Sequence, residues 1–292
     1  MGGGYWRRED FAKYSARMGR TVRADGNIDT SGMHSAQDMY RARCLDPKLD
    51  PYKVVRECCD SADHPASLPV ILALDVTGSM GPASAEVAKK MNEVMTRLYG
   101  VIQDVEFMIM GIGDLSYDRA PIQISQFESD IRIAEQLDMV YMEHGGGGNA
   151  FESYTAAWYM GLRHTKLDCW KRGKKGLIIT MGDEPMNPYL PMAPLAAATG
   201  DRLTADVETK DLYTRAAEKF DIRHLHVTHR QVDRYLEAAS RSFGSILPGG
   251  HFQVANLDDI SGRLVDIVTE FAARQEPETP GMREISWDTG AG

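Results

Sequence analysis

Residues 70–74, VILAL, run directly into DVTGSM, and no other stretch constrains the fold as much as this junction. A continuously apolar run of strand length needs cover on both faces, the pattern of a buried strand in a parallel sheet. Asp75, Thr77 and Ser79 then stand at alternate positions, and Gly78 lets the backbone turn sharply. Pro82 suits a first helical turn, and Val87, Met91, Val94, Met95 and Leu98 recur behind it at helical spacing. The unit reads as strand, oxygen-rich loop, helix.

One carboxylate and two hydroxyls beyond a strand end suit a hard divalent cation. An open site with few protein oxygens suits magnesium, which keeps several of its waters. The same residue types also favour a turn before a helix for backbone reasons alone. Two further stretches bear on the choice. Residues 176–185, GLIITMGDEP, repeat the pattern of apolar run, glycine and carboxylate, here Asp183. Between the two, residues 144–154, HGGGGNAFESY, set four glycines ahead of an expected helix. Three such loops can meet at one edge of a parallel sheet, where open α/β folds bind ligands.

DVTGSM resembles the DxSxS-type first loop of the von Willebrand factor A domain, whose metal-ion-dependent adhesion site (MIDAS) binds magnesium. Asp75, Thr77 and Ser79 match that loop residue by residue. The glycine run resembles the second loop and TMGDEP the third, where Asp183 is the matching aspartate, although TMGD is one residue longer than the usual TDG. A threonine is usual after the second-loop glycines, whereas Gly148 and Asn149 stand here. Asn149, the Glu152 carboxylate, the Ser153 hydroxyl or water would take its place. The resemblance spans residues 69–273. It implies a doubly wound, mostly parallel α/β sheet with one antiparallel edge strand and helices on both faces. It implies Mg2+ or Mn2+ on Asp75, Thr77, Ser79 and Asp183, with Asn149 or one of those alternatives at the second loop, and one open position for an Asp or Glu of a protein partner. Cytoplasmic proteins resembling this family work as adaptors beside AAA+ ATPases of the MoxR type, a partner implied by the resemblance alone.

A length of 292 residues allows one large α/β domain with appendages. The chain divides into an extension over residues 1–66, the domain over 67–273 and a tail over 274–292 that ends DTGAG. The formal net charge of -9 argues against nucleic-acid binding by the whole surface. No run of 18 apolar residues suggests a membrane span, and the first residues lack the apolar stretch of a secretory signal, so a cytoplasmic location is expected. The four cysteines have no CxxC spacing, which suits reduced thiols better than a zinc cluster.

Six basic residues in 1–24 are interleaved with Tyr5, Trp6, Phe11 and Tyr14. Such a mixture can bind single-stranded nucleic acid. The preferred reading is that the aromatics anchor the arm against its own domain or a partner. Helices are expected over 33–44, 54–59, 130–139, 151–164, 206–220 and 232–240, with a last apolar stripe from Ile260 to Phe271. Strands are expected over 105–112, 222–228 and 251–254, with an edge strand over 120–127. Residues 185–199 carry four prolines and read as an irregular insertion beside the site. His224, His226 and His229 invite a zinc reading, but no acidic partner is adjacent, and His164 reads as a helix cap.

Two functional classes compete with a third behind them. The leading one is a metal-dependent protein-interaction module. The second is an enzyme, since DVTGS distantly resembles the DxDGT loop of haloacid-dehalogenase phosphatases. Those enzymes need an acid two residues after the nucleophile, and Thr77 cannot relay a proton in that way. Neither a GxSxG elbow nor a Walker lysine is found, so no enzymatic activity is expected. A structural or virion-associated interaction protein is the third class.

Overall fold

The computed structural model describes residues 4–33, 36–143, 149–228 and 234–275. The glycine run, His144, His229 and the end of the tail lie outside the described residues.

In chain order the strands are β1 (Arg56–Cys58), β2 (Leu68–Asp75), β3 (Val105–Ile112), β4 (Ile122–Ile124), β5 (Thr165–Leu167), β6 (Gly176–Gly182), β7 (Tyr189–Leu190), β8 (Val207–Glu208), β9 (Phe220–Thr228) and β10 (Phe252–Asn256). The helices are α1 (Arg8–Arg17), α2 (Ala36–Met39), α3 (Gly81–Tyr99), α4 (Arg132–Asp138), α5 (Thr155–Arg163), α6 (Met192–Thr199), α7 (Thr209–Ala216), α8 (Leu236–Gly244) and α9 (Ile260–Gln275).

Every residue of β2 is buried, as its apolar run over 70–74 requires, and Asp75 at its end is buried with it. Val70, Leu72 and Leu74 point into one apolar layer, shared with Val87 and Met91 of α3, Ile133 of α4 and Leu264 of α9. Ile71 and Ala73 point into the other, with Trp158 of α5, Leu212 of α7 and Phe243 of α8. The sheet is therefore covered on both faces, an α/β architecture. Its strand order is β10-β9-β6-β2-β3-β4. All neighbours run parallel except β3 and β4, so the antiparallel strand sits at one edge.

Strand order decides where the site lies. From β2 the chain passes through α3 to β3 on one side and later returns to β6 on the other. The connections after β2 and β6 thus run to opposite sides from adjacent strands, and open α/β folds bind ligands at the carboxyl edge of such a switch point.

Three expectations are corrected. Residues 54–59 are not helical: β1 pairs in parallel with β5, Cys58 opposite Leu167. Six residues form too few helical hydrogen bonds to compete with an available strand partner. Residues 185–199 are not irregular throughout, since they contain β7 and α6. Pro191 caps α6 from outside and Pro194 lies in its first turn, where a missing N–H costs no hydrogen bond. Gly200, at φ +76°, ends it. Finally, helices differ in extent: α5 begins four residues later than expected, α7 fills only the middle of its expected span, and α8 runs past residue 240 to Gly244.

The amino-terminal arm packs on its own domain. Trp6, Phe11 and Tyr14 are buried in the layer of α3 and α9. Trp6 Nε1 donates to Asn92 Oδ1 of α3 at 3.1 Å. Arg20 clasps both oxygens of Asp138 at 2.7 and 2.8 Å, and Tyr14 Oη donates to the same carboxylate at 2.6 Å. Among the described residues, no helix is long and apolar enough to cross a membrane.

Candidate metal centre

β2 delivers Asp75 to the carboxyl edge, fully buried, and a tight turn then brings Thr77 and Ser79 back over it. Thr77 donates twice to Asp75 Oδ1, from its N–H at 2.9 Å and from Oγ1 at 2.5 Å. Thr77 Oγ1 lies 3.3 Å from Ser79 Oγ. Ser79 Oγ in turn donates to Asp183 Oδ1 at 2.9 Å, across from β2 to the loop after β6. Four of the residues singled out from the sequence thus form one connected group. Neither the 3-10 turn nor α3 is capped by a side chain, so these hydroxyls serve carboxylates and not helix N–H groups.

The second loop is arranged differently. Asn149 turns its amide to Asp114, with Nδ2 donating to Oδ2 at 2.5 Å. Ser153 Oγ accepts the Leu115 N–H at 3.1 Å. Glu152 is buried, 3% exposed, and its Oε2 has no hydrogen-bond partner. Tyr154 was not singled out from the sequence, yet its Oη donates to Asp75 Oδ2 at 2.8 Å. Asp114 was also missed as a site residue. The available signal was its position, since it follows β3 much as Asp75 closes β2.

The electrostatics follow from burial. Desolvation pushes the Asp75 carboxyl up to about 7, the Thr77 hydrogen bonds pull it back, and the Asp183 charge adds to the rise. Glu152 is pushed up to about 11, by burial first and then by the charges of Asp75, Glu184, Asp118 and Asp114. Burial and the nearby Glu143 and Asp114 charges bring Asp118 to about 6, against the pull of a backbone hydrogen bond. Carboxylates crowd this edge, and a bound cation would relieve their repulsion.

The residues present fit a hard cation. The donors are carboxylate and hydroxyl oxygens, and one buried carboxylate oxygen has nothing to bind. Among the described residues no three of His, Cys, Asp or Glu are placed to hold a metal together. The Thr77 and Ser79 hydroxyls and water would therefore complete the coordination, which suits magnesium. The histidines of β9 belong to the core instead. His224 stacks on Phe243 with ring centroids 3.7 Å apart, shares a 2.8 Å hydrogen bond with Thr180 Oγ1, and is held well below its usual pKa by burial.

No family model matches the chain, and no curated protein matches it. Among solved structures it is similar to the pilus adhesin SpaC from Lactobacillus rhamnosus GG in its open conformation, at 11% identity and a TM-score of 0.49, over 77% of this chain and 31% of the adhesin. It is also similar to the vWF domain of the type V pili tip protein Mfa5 from Porphyromonas gingivalis, at 11% identity and a TM-score of 0.47, over 73% of this chain and 97% of that domain. The chain spans about a third of the adhesin's length.

Proposed function

We propose that the carboxyl edge of the sheet is a cation-dependent docking site for a protein partner. Asp75, Thr77, Ser79 and Asp183 would hold Mg2+ or Mn2+, and the bound ion would supply an open position for an Asp or Glu of the partner. One observation carries the reading: the Thr77 and Ser79 hydroxyls join two carboxylates from adjacent strands and leave the helix start uncapped. Asn149 acts at one remove, holding the Asp114 loop against the second loop.

The proposed role is binding and not catalysis. Thr77 stands where a phosphatase of the resembled type needs its acid, and its hydroxyl is committed to Asp75. Work beside an AAA+ ATPase of the MoxR type, in the cytoplasm, is a finer proposal that rests on the sequence resemblance.

Calorimetry with Mg2+ and Mn2+ on the metal-free protein tests the reading. Binding by the wild type and its loss in Asp75→Ala are expected. Equal, negligible heats for both proteins would overturn it. A pull-down from the native host with and without EDTA then tests docking, and partners that are unchanged by EDTA reduce any ion to a structural role.

A further inference from the structure

Glu152 is the acidic side chain of this edge that no bond explains. Its main chain is fixed on both sides: the N–H donates to the Pro185 carbonyl at 3.2 Å, and the carbonyl accepts the Asn187 N–H at 3.2 Å. The two segments form a parallel bridge at Met186. The backbone therefore directs the side chain inward, where it is 3% exposed with Oε2 unpartnered. The other second-loop candidates are committed elsewhere, Asn149 to Asp114 and Ser153 to Leu115. A buried carboxylate with no partner is costly, and a nearby cation with its water offsets that cost.

We propose that Glu152 faces the hydrated side of the cation and accepts hydrogen bonds from the ion's bound water, in place of the second-loop threonine of the resembled domains. The inference rests on the cation reading of Asp75, Thr77, Ser79 and Asp183. Contact through water agrees with the absence, among the described residues, of three acidic groups placed to hold one metal directly. It also sets the ion preference. Magnesium and manganese keep ordered waters that Glu152 can hold, whereas calcium takes more direct oxygens at longer range. Glu152 is a positioning residue and acts through that water.

Titration of the full-length, metal-free chain with Mn2+, Mg2+ and Ca2+ tests the inference, on wild type, Glu152→Gln, Glu152→Asp and Asp75→Asn. Circular dichroism checks that each variant is folded. Removing a group that orients a metal's ligands lowers affinity by about 10–100-fold. Glu152→Gln is expected to weaken Mn2+ and Mg2+ by that factor while leaving Ca2+ less affected, and Glu152→Asp should recover part of the loss. Wild-type Mn2+ affinity in Glu152→Gln would overturn the inference and leave the site itself intact. No Mn2+ binding by the wild type would overturn the underlying cation reading as well. Should the glutamine variant not fold, the aspartate variant decides: weaker Mn2+ binding supports the inference, and unchanged binding overturns it.

Discussion

Asp75 and Glu106 are both buried carboxyls, at opposite ends of the central sheet, and they meet different fates. Asp75 meets the Thr77 and Tyr154 hydroxyls and the nearby Asp183 charge at the carboxyl edge. Glu106, at the amino end of β3, is 3% exposed beside Cys58 and His64. Burial pushes it from 4.5 up to about 7, against the Cys58 hydrogen bond and the His64 charge, with Glu128 adding to the rise. A carboxyl raised in the folded state favours folding most below its unfolded value, and that contribution is lost as pH rises through the folded value. Stability should therefore fall between about pH 4.5 and pH 7 on this group's account. Glu106→Gln is expected to stabilise the protein by about 1–3 kcal/mol at pH 8 and by almost nothing at pH 4. Urea unfolding at the two pH values checks this, and an equal gain at both would assign the effect to packing.

At the scale of elements, the end of β6 shows why a glycine precedes Asp183. A Cβ on Gly182 would lie 1.9 Å from Tyr154 Oη, the hydroxyl that bonds Asp75. Gly182→Ala must displace either the tyrosine or the loop that carries Asp183. We expect a loss of about 1–3 kcal/mol, typical of overpacking, together with weakened Mn2+ binding. Thermal melting and calorimetry read the two effects, and a variant that melts lower but binds Mn2+ normally would separate them. Elements with a clear period were legible from sequence. The apolar runs 70–74 within β2 and 107–110 within β3 read as buried strands, and α3 and α9 announce themselves by their stripes. The pair β1 and β5 was not legible, because three residues carry no period and each strand exists only through its partner. The start of α6 was hidden by prolines that a first helical turn tolerates.

At the scale of the whole molecule, the amino-terminal arm is held by an ion pair rather than by apolar contact alone. The Arg20 and Asp138 side chains are 4% and 8% exposed, and Tyr14 shares the carboxylate. Breaking a buried pair from one side leaves a charge without its partner, at a cost of about 3–5 kcal/mol. Arg20→Ala is expected to destabilise the chain by that amount. The Arg20→Ala, Asp138→Ala double variant should lose less than the sum of the single losses. Strict additivity in denaturant unfolding would show that the pair is not coupled.

The sequence by itself determined that a buried strand ends in a carboxylate and two hydroxyls, and that a second strand ends in a glycine and an acid. Those are local facts, set by apolar continuity and by which residues can turn. It also determined that the sheet is covered by helices on both faces, because strands with no polar face need such cover, whereas the doubly wound order was implied by the resemblance alone. Only the tertiary structure decided which oxygens meet. Ser79 reaches Asp183 across 104 residues, Tyr154 reaches Asp75 across 79, and Asn149 goes to Asp114 and not to Asp75. These pairings depend on β2 lying beside β6 and on the 185–187 segment locking Glu152 from behind. Strand order and loop docking come from burying the whole core at once, so no single stretch of sequence contains them.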